Sequence, residues 1–407
     1  MFRTALRIAW ASLARRASRS VLVVVMISMS LWGLLFMEGI YDGMTEQMIG
    51  NAIRSDSGQL SLFAAGFRED PGLHRLISRE EAITALLARD RRVKSFALRL
   101  RQDGLAATAH YSRGVMIYGV DLAAEKSHGR LDSYLIEGEY GFGAKNRGVL
   151  VGARLAEKLK VKIGRKLIVS AQNSAHEVAA VALTITGIVR TNNMALDESA
   201  VFIDMDKARE LFAIPQGVSQ VSVIVRAEKD IPALQNDLRR QFPGLQILRW
   251  DELYPALMQG RVMMQGFNLV MSLLIFGVAG LGIFGVMLVS VLERLREFGI
   301  MLAIGTSFSQ IRGIIFTESF ILGFAGFVAG SLSGGATLLY FYRQGLDLTI
   351  FSQGLEEFGM DVITHAVIRP SYFITAFAAV MLATLVSVLF PLHLLKKANP
   401  VEAINRV

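Results

Sequence analysis

Few residues in this chain have the type and spacing that enzymatic chemistry needs. None of its 407 residues is cysteine, which excludes disulfides, thiolate metal sites and a cysteine nucleophile. No G-x-x-x-x-G-K-[ST] run occurs, so no Walker-type ATP loop is expected. Gly141-Phe142-Gly143-Ala144-Lys145 is glycine-rich, but its spacing is wrong for cradling phosphate and it reads as a loop. His176-Glu177 and His365 stand apart among six histidines, with no His-Glu-x-x-His pattern, which argues against a metal site. A G-x-S-x-G nucleophile elbow is also missing. No catalytic, cofactor-binding or metal residue is therefore expected in this chain.

Three other features stand out. The first is Glu318, the only charge between Gly313 and Tyr342. With no evident partner on another apolar run, it is expected either to snorkel toward a membrane surface or to hydrogen-bond a neighbouring helix. A structural use is favoured over a role in moving substrate. The second is the series Gly323, Gly326, Gly330 and Gly334. The last three are four apart, so two G-x-x-x-G units share one helix face and predict close packing on another helix, from this chain or a second copy. The third is the stretch from Glu293 to Arg312. Glu293, Arg294, Arg296 and Glu297 open it, and Phe298, Gly299 and Ala303 follow. Gly305 is suited to stop a helix. Ser307 and Gln310 have capping-box spacing for the next helix. A short helix lying across the membrane face would be a docking element; a solvated turn fits the same residues.

The elements that position these residues follow from the charge pattern. Hydrophobic residues make up 52% of the chain and mean hydropathy is +0.42. No Asp, Glu, Lys or Arg occurs in Ser20–Met37 (18 residues), Val262–Leu292 (31) or Pro370–Leu395 (26). With the Glu318 run these make four membrane spans, placed at residues 20–41, 262–292, 313–342 and 370–393. Arg3, Arg7, Arg15, Arg16 and Arg19 precede the first span, Arg294, Arg296 and Arg312 lie between the second and third, and Lys396, Lys397 and Arg406 follow the fourth. Positive charge stays on the cytoplasmic side, so both termini are expected inside. The net charge of +8 is then topology rather than a nucleic-acid surface. The first span lacks a small-x-small cleavage site at Phe36-Met37-Glu38-Gly39-Ile40 and reads as an uncleaved anchor.

Residues 1–19 read as an amphipathic lead-in, with Phe2, Leu6, Trp10 and Leu13 on one face; an interfacial helix and a plain extension of span one both fit. Residues 42–261 have ordinary charge density and predict an α+β domain outside the membrane, as one body or two intimate lobes. Strands are expected at 183–190, 200–204 and 218–226, and helices at 153–160, 206–212 and 232–242, with Asp206 and Asp230 as N-caps. Thirty-one helical residues in span two give roughly 46 Å against a hydrocarbon core of about 30 Å, which predicts a stalk. A cytoplasmic segment at 293–312, an outer loop at 343–369 and a tail at 394–407 complete the plan.

The segment Glu293-Arg294-Leu295-Arg296-Glu297-Phe298-Gly299-Ile300 through Gly305, then Ile311 and Glu318-Ser319, resembles the E-R-x-R-E-[IF]-G-I…A-[IL]-G…I…E segment of the MacB/FtsX-like ABC permease family. Pro391 and Lys396-Lys397-Ala398-Asn399-Pro400-Val401-Glu402-Ala403-Ile404 resemble that family's ending, and Gly148-Val149-Leu150-Val151-Gly152…Leu155-Ala156…Leu159…Val161…Gly164 its outer domain. Tyr41-Asp42-Gly43-Met44, Gly58 and Asp70-Pro71 look most like the lipoprotein-releasing, LolC/LolE-type permeases. The resemblance covers nearly the whole chain. It implies a four-span, type VII ABC permease-like membrane protein in a bacterial inner membrane, with a MacB-like periplasmic domain between helices 1 and 2. Its implied partners are a separate ABC ATPase that binds ATP and Mg, a second permease and, for lipoprotein cargo, a periplasmic carrier. The implied activity is release of lipoproteins toward the outer membrane by mechanotransmission. MacB-like export of a peptide, antibiotic or other amphiphile, and FtsX-like control of a periplasmic hydrolase, are the alternatives. Glu293, Arg294, Arg296, Glu297, Phe298, Gly299, Ala303 and Gly305 would couple to the ATPase.

Overall fold

A computed structural model of the chain describes residues 13, 15, 17–351, 354 and 362–397. Most of the lead-in segment, the centre of the outer loop and the Pro400–Ile404 ending lie outside the described residues. The chain divides into two compact units. One holds residues 46–260 and 349–362, and the other holds the remainder.

The first helix, α1 (Ala17–Ala52), runs beyond its uncharged stretch and closes in a wide turn, Ile53–Ser57. Gly58 then takes φ +63° against Ser222 and Val223, where a side chain would collide. The sheet domain follows, with β1 (Leu60–Ala64), α2 (Glu80–Arg89), β2 (Val93–Ala107), β3 (Ser112–Val120), α3 (Leu122–His128), β4 (Leu135–Gly138) and β5 (Gly148–Gly152). Next come α4 (Ala153–Leu159), β6 (Lys166–Gln172), β7 (Val178–Val189), α5 (Met194–Ser199), β8 (Ala200–Asp204) and α6 (Met205–Phe212). The domain ends with β9 (Gln220–Val225), α7 (Ile231–Gln241), β10 (Leu245–Arg249) and α8 (Trp250–Leu253).

The strands form one sheet in the order β10-β1-β9-β2-β3-β8-β5-β7-β4, with β6 joining β2 to β7. Only β3–β8 and β5–β7 are parallel. The long strand β2 is the spine: it pairs with β9 near its start, with β3 along its second half and with β6 at its end. Two apolar cores flank that spine. One gathers Leu60, Leu62, Val221, Val223, Leu234 and Leu238, and the other Val149, Val151, Leu155, Leu167, Ile185 and Phe212. The expected strands and helices of this domain are present within a few residues of their ends, but one of the two expected caps needs correction. Asp204, not Asp206, caps α6 and accepts from the amides of Asp206 and Lys207, because β8 passes into α6 with no linker and its last residue is already the N-cap. Asp230 stands at the N-cap of α7 as expected, with Pro232 in the first turn, although its side chain makes no capping bond.

His128 is buried on the sheet between two hydroxyls, Nε2 2.8 Å from Ser222 Oγ and Nδ1 3.1 Å from Ser95 Oγ. Desolvation first, then the nearby Arg99 charge, lowers its pKa to about 3. The folded state keeps this imidazole neutral while the unfolded chain takes up a proton below about pH 6.5. Its contribution is therefore complete above that pH and is lost as the pH falls from 6.5 toward 3. On full-length protein, the protection factors of amides in β2 and β9, taken relative to the intrinsic exchange rate at each pH, are expected to fall between pH 7 and 4.5, by up to about 3 kcal/mol of local stability. His128→Asn is expected to flatten that dependence; an unchanged slope would show that another group governs it.

The other unit contains α1 and three further long helices, α9 (Pro255–Glu293), α11 (Phe308–Gln344) and α12 (Pro370–Lys397), with a short α10 (Leu295–Ala303) between the first two. All four long helices have the length and composition to cross a membrane. At 1.5 Å per residue, the 39 residues of α9 extend roughly 58 Å, well beyond a hydrocarbon core.

Candidate functional site

The glycine face of α11 packs on α1. A Cβ added at Gly326 would lie 2.6 Å from Ile27 Cβ, one at Gly330 2.9 Å from Leu31 Cβ, and one at Gly334 2.7 Å from Leu35 Cδ1. Each missing Cβ thus admits one α1 side chain, in a ladder with the same four-residue step on both helices. Gly323 faces α12 instead, where a Cβ would meet Thr384 Oγ1 at 2.8 Å. Polar bonds reinforce the α1–α11 seam: Ser28 Oγ donates to the Gly326 carbonyl (3.2 Å) and Trp32 Nε1 to Thr337 Oγ1 (3.0 Å).

At one end of this bundle the chain reverses between α9 and α11. The Arg294 amide bonds the Val291 carbonyl as α9 ends, and α10 follows for nine residues. Gly305, at φ +97°, lets the chain turn out of α10, its amide on the Leu302 carbonyl and that of Thr306 on the Met301 carbonyl. Ser307 and Gln310 form the capping box that starts α11, the Gln310 side chain accepting from the Ser307 amide at 2.9 Å.

The charged and apolar residues of this reversal separate by direction. Arg294, Phe298 and Gly299 are buried, whereas Glu293, Arg296, Glu297, Ala303 and Gly305 are exposed. Arg294 reaches across to α11, its Nη1 2.8 Å from Glu318 Oε2, with both side chains at most a tenth exposed. Its Nε also meets Glu297 at 3.2 Å, and its guanidinium lies 4.8 Å from the centre of the Phe298 ring. The sequence showed Glu318 no partner on another helix; the structure corrects this, because the chain reversal brings Arg294 to it. Phe298 sits in the bundle core with Val23, Met287, Ile311 and Val388. Glu293 pairs with Arg19 of α1 through two bonds, one of 2.7 Å, in a half-exposed setting where such pairs contribute little.

Two residues that the sequence reading did not single out complete the outward face. Ile300 and Ile304 are 47% and 77% exposed, one turn apart. Their signal was present: two isoleucines at i and i+4 beside Arg296 and Glu297, on a helix whose other face is already apolar. The arrangement is a rigidly anchored short helix that offers an apolar strip edged with charge.

Residues 20–241 match the family model for the MacB-like periplasmic core domain, and residues 269–400 match that for the FtsX-like permease C-terminal. The lipoprotein-releasing system transmembrane protein LolC of Neisseria meningitidis serogroup B is 22% identical over 328 residues, 74% of this chain and 76% of that protein. A macrolide export ATP-binding/permease protein MacB of Nitrobacter winogradskyi is 43% identical over 68 residues, 16% of this chain and 10% of that protein. The crystal structure of the periplasmic region of MacB from Actinobacillus actinomycetemcomitans aligns at 12% identity and a TM-score of 0.36, over 51% of this chain and 95% of that one. The periplasmic-core match alone covers more than half of the sequence, and the permease match takes in α10 and the Arg294–Glu318 pair: the chain belongs to the MacB/FtsX-like family of ABC transporter permeases.

Proposed function

We propose that this permease works with an ATPase carried on a separate polypeptide and that α10 is the element the ATPase grips. The observation that carries this reading is the division of α10: Arg294 and Phe298 fix it to the bundle, with Glu297 exposed but tied to Arg294, while Arg296, Ile300 and Ile304 face outward. ATP and Mg would be bound by that partner, in keeping with the lack of a Walker loop in the sequence. Two permeases would pair with two ATPase subunits, with the termini and α10 in the cytoplasm. Closure of the ATPase dimer would push on α10, and α1 and α9 would carry the displacement outward. Ile304→Asp is expected to reduce transport-coupled ATP hydrolysis at least tenfold in nanodiscs, with insertion and melting temperature unchanged. Glu297→Lys is expected to reduce it as well, with insertion kept and a lower melting temperature, because it sets a second cation beside Arg294. Normal coupling in both variants would sink the assignment. Gly299→Trp is expected to uncouple as well, but by unseating the buried side of the helix.

For cargo, we infer release of lipoproteins from the inner membrane, because the likeness to LolC extends over about three quarters of both chains. Export of a peptide, antibiotic or other amphiphile is the second reading, favoured by the short, higher-identity match to MacB. Depleting the protein and following lipoproteins in the two membranes separates them. Lipoproteins retained in the inner membrane support the first reading, and unchanged partitioning supports the second.

A further inference from the structure

In the sheet domain, the turn that closes α1 and the segment that opens α9 meet on strand β2. Tyr254 donates a short hydrogen bond to Asp56. Asp56 lies 3.5 Å from Arg101 and 3.7 Å from Arg99, and Arg99 is in turn paired with buried Glu125, Nε to Oε1 at 2.6 Å. The Tyr254 bond goes to Asp56 Oδ2, while Oδ1 is buried beside the two arginines at ion-pair distance and accepts no hydrogen bond.

Beside this cluster is a cavity of about 230 Å³. Phe63 and Phe67, stacked with ring centres 5.7 Å apart, form part of its lining together with Met116 and Leu253. Arg101 also lines it. Its guanidinium lies 5.0 Å from the centre of the Tyr118 ring and uses Nη1 for Gln220 Oε1 (3.2 Å), which leaves the rest of the fork for a ligand. Arg68 adds a second guanidinium, held by a long 3.4 Å contact to the Leu253 carbonyl. Asp103 is exposed at the edge.

We propose that this cavity binds a small carboxylate whose body is a single aromatic or branched hydrocarbon group. A planar guanidinium fork matches a carboxylate in two parallel bonds, and apolar walls with a few converging polar groups are the usual makeup of a ligand pocket. The volume suits one such group and little more. The carboxylate could come from a free organic acid or from the C-terminus of a peptide ending in an apolar residue. Because Asp56 and Tyr254 border the same space, an occupant would compete for Arg101 at the point where both helices join the sheet. The proposal does not depend on the coupling role of α10.

The test uses full-length protein in nanodiscs and titration calorimetry with three probes: 3-phenylpropanoate, its neutral analogue 3-phenylpropanamide, and N-acetyl-Gly-Phe with a free carboxylate. Saturable binding of a carboxylate probe is expected, at least tenfold tighter than that of the amide. Tighter binding of the dipeptide identifies a peptide terminus as the source, and tighter binding of 3-phenylpropanoate a free acid. Arg68→Ala is expected to weaken binding about fivefold, and Met116→Trp, which fills the cavity, to abolish it. Leu253→Trp fills it from another side should Met116→Trp fail to fold. No saturable binding at millimolar probe, equal affinity for acid and amide, or undiminished binding in a folded, filled variant would each overturn the proposal.

Discussion

Arg294→Met is expected to destabilise the membrane unit by about 3–5 kcal/mol, the usual result of removing one member of a buried ion pair, and to abolish coupled ATP turnover. Two effects combine at this position. Glu318 loses its guanidinium in a setting where its side chain is 7% exposed, and α10 loses its polar tie to α11. Methionine keeps much of the volume and apolar stem of arginine, so the loss reports mainly on the charge. The double variant Arg294→Met/Glu318→Leu is expected to return to within about 1 kcal/mol of the parent, since a buried pair replaced by apolar groups of similar size is often neutral. Thermal unfolding in nanodiscs gives the stabilities and stimulated ATPase activity gives the coupling. A single variant that melts with the parent would show that the pair is not holding α10.

Gly330→Leu is expected to have the second large effect, a loss of at least about 3 kcal/mol, at the upper end of overpacking penalties. The Cβ alone would sit 2.9 Å from Leu31 Cβ, and the whole α1–α11 seam must open to admit the rest of the side chain. Gly335→Ala is the matched control, because a Cβ there meets Phe373 at an ordinary 3.7 Å. Moving the small residue across the seam, Gly330→Ala with Leu31→Gly, is expected to recover part of the loss. The yield of monodisperse protein and its melting temperature are the measurements. A Gly330→Leu protein that purifies and melts like Gly335→Ala would mean the seam is loose.

Much of the architecture could be read before the fold was known, for identifiable reasons. Three runs of 18 to 31 residues without charge, and a fourth broken only by Glu318, have few alternatives to membrane spans, and four helices long and apolar enough to cross a membrane are present. The Ser307–Gln310 box and the turn at Gly305 were legible because each depends on residues a few positions apart. What escaped was decided at long range. Arg294 and Glu318 are 24 positions apart and became partners only through the geometry of the reversal. The cap of α6 was misplaced because a strand passes into a helix at Asp204, where local propensity gives no boundary. The middle of the sheet was equally hidden: β2 takes three partners, and pairing between distant strands leaves little trace in either strand alone.

The glycine ladder has a dynamic consequence. Side chains of α1 lie against bare backbone of α11 at three successive steps, and no rotamer change can relieve a contact with backbone, so sliding or twisting these two helices past each other meets a steep steric barrier. Helix α9 is differently placed: Gly277 and Gly285 have open space where a side chain would stand, and Leu273, Val278 and Leu281 are largely exposed. Thermal motion within the membrane unit should therefore be unequal, with α1 and α11 drifting as a single stiff plank, the end of α9 from Gly282 to Val291 held against α1, and its stretch before Leu281 the compliant part.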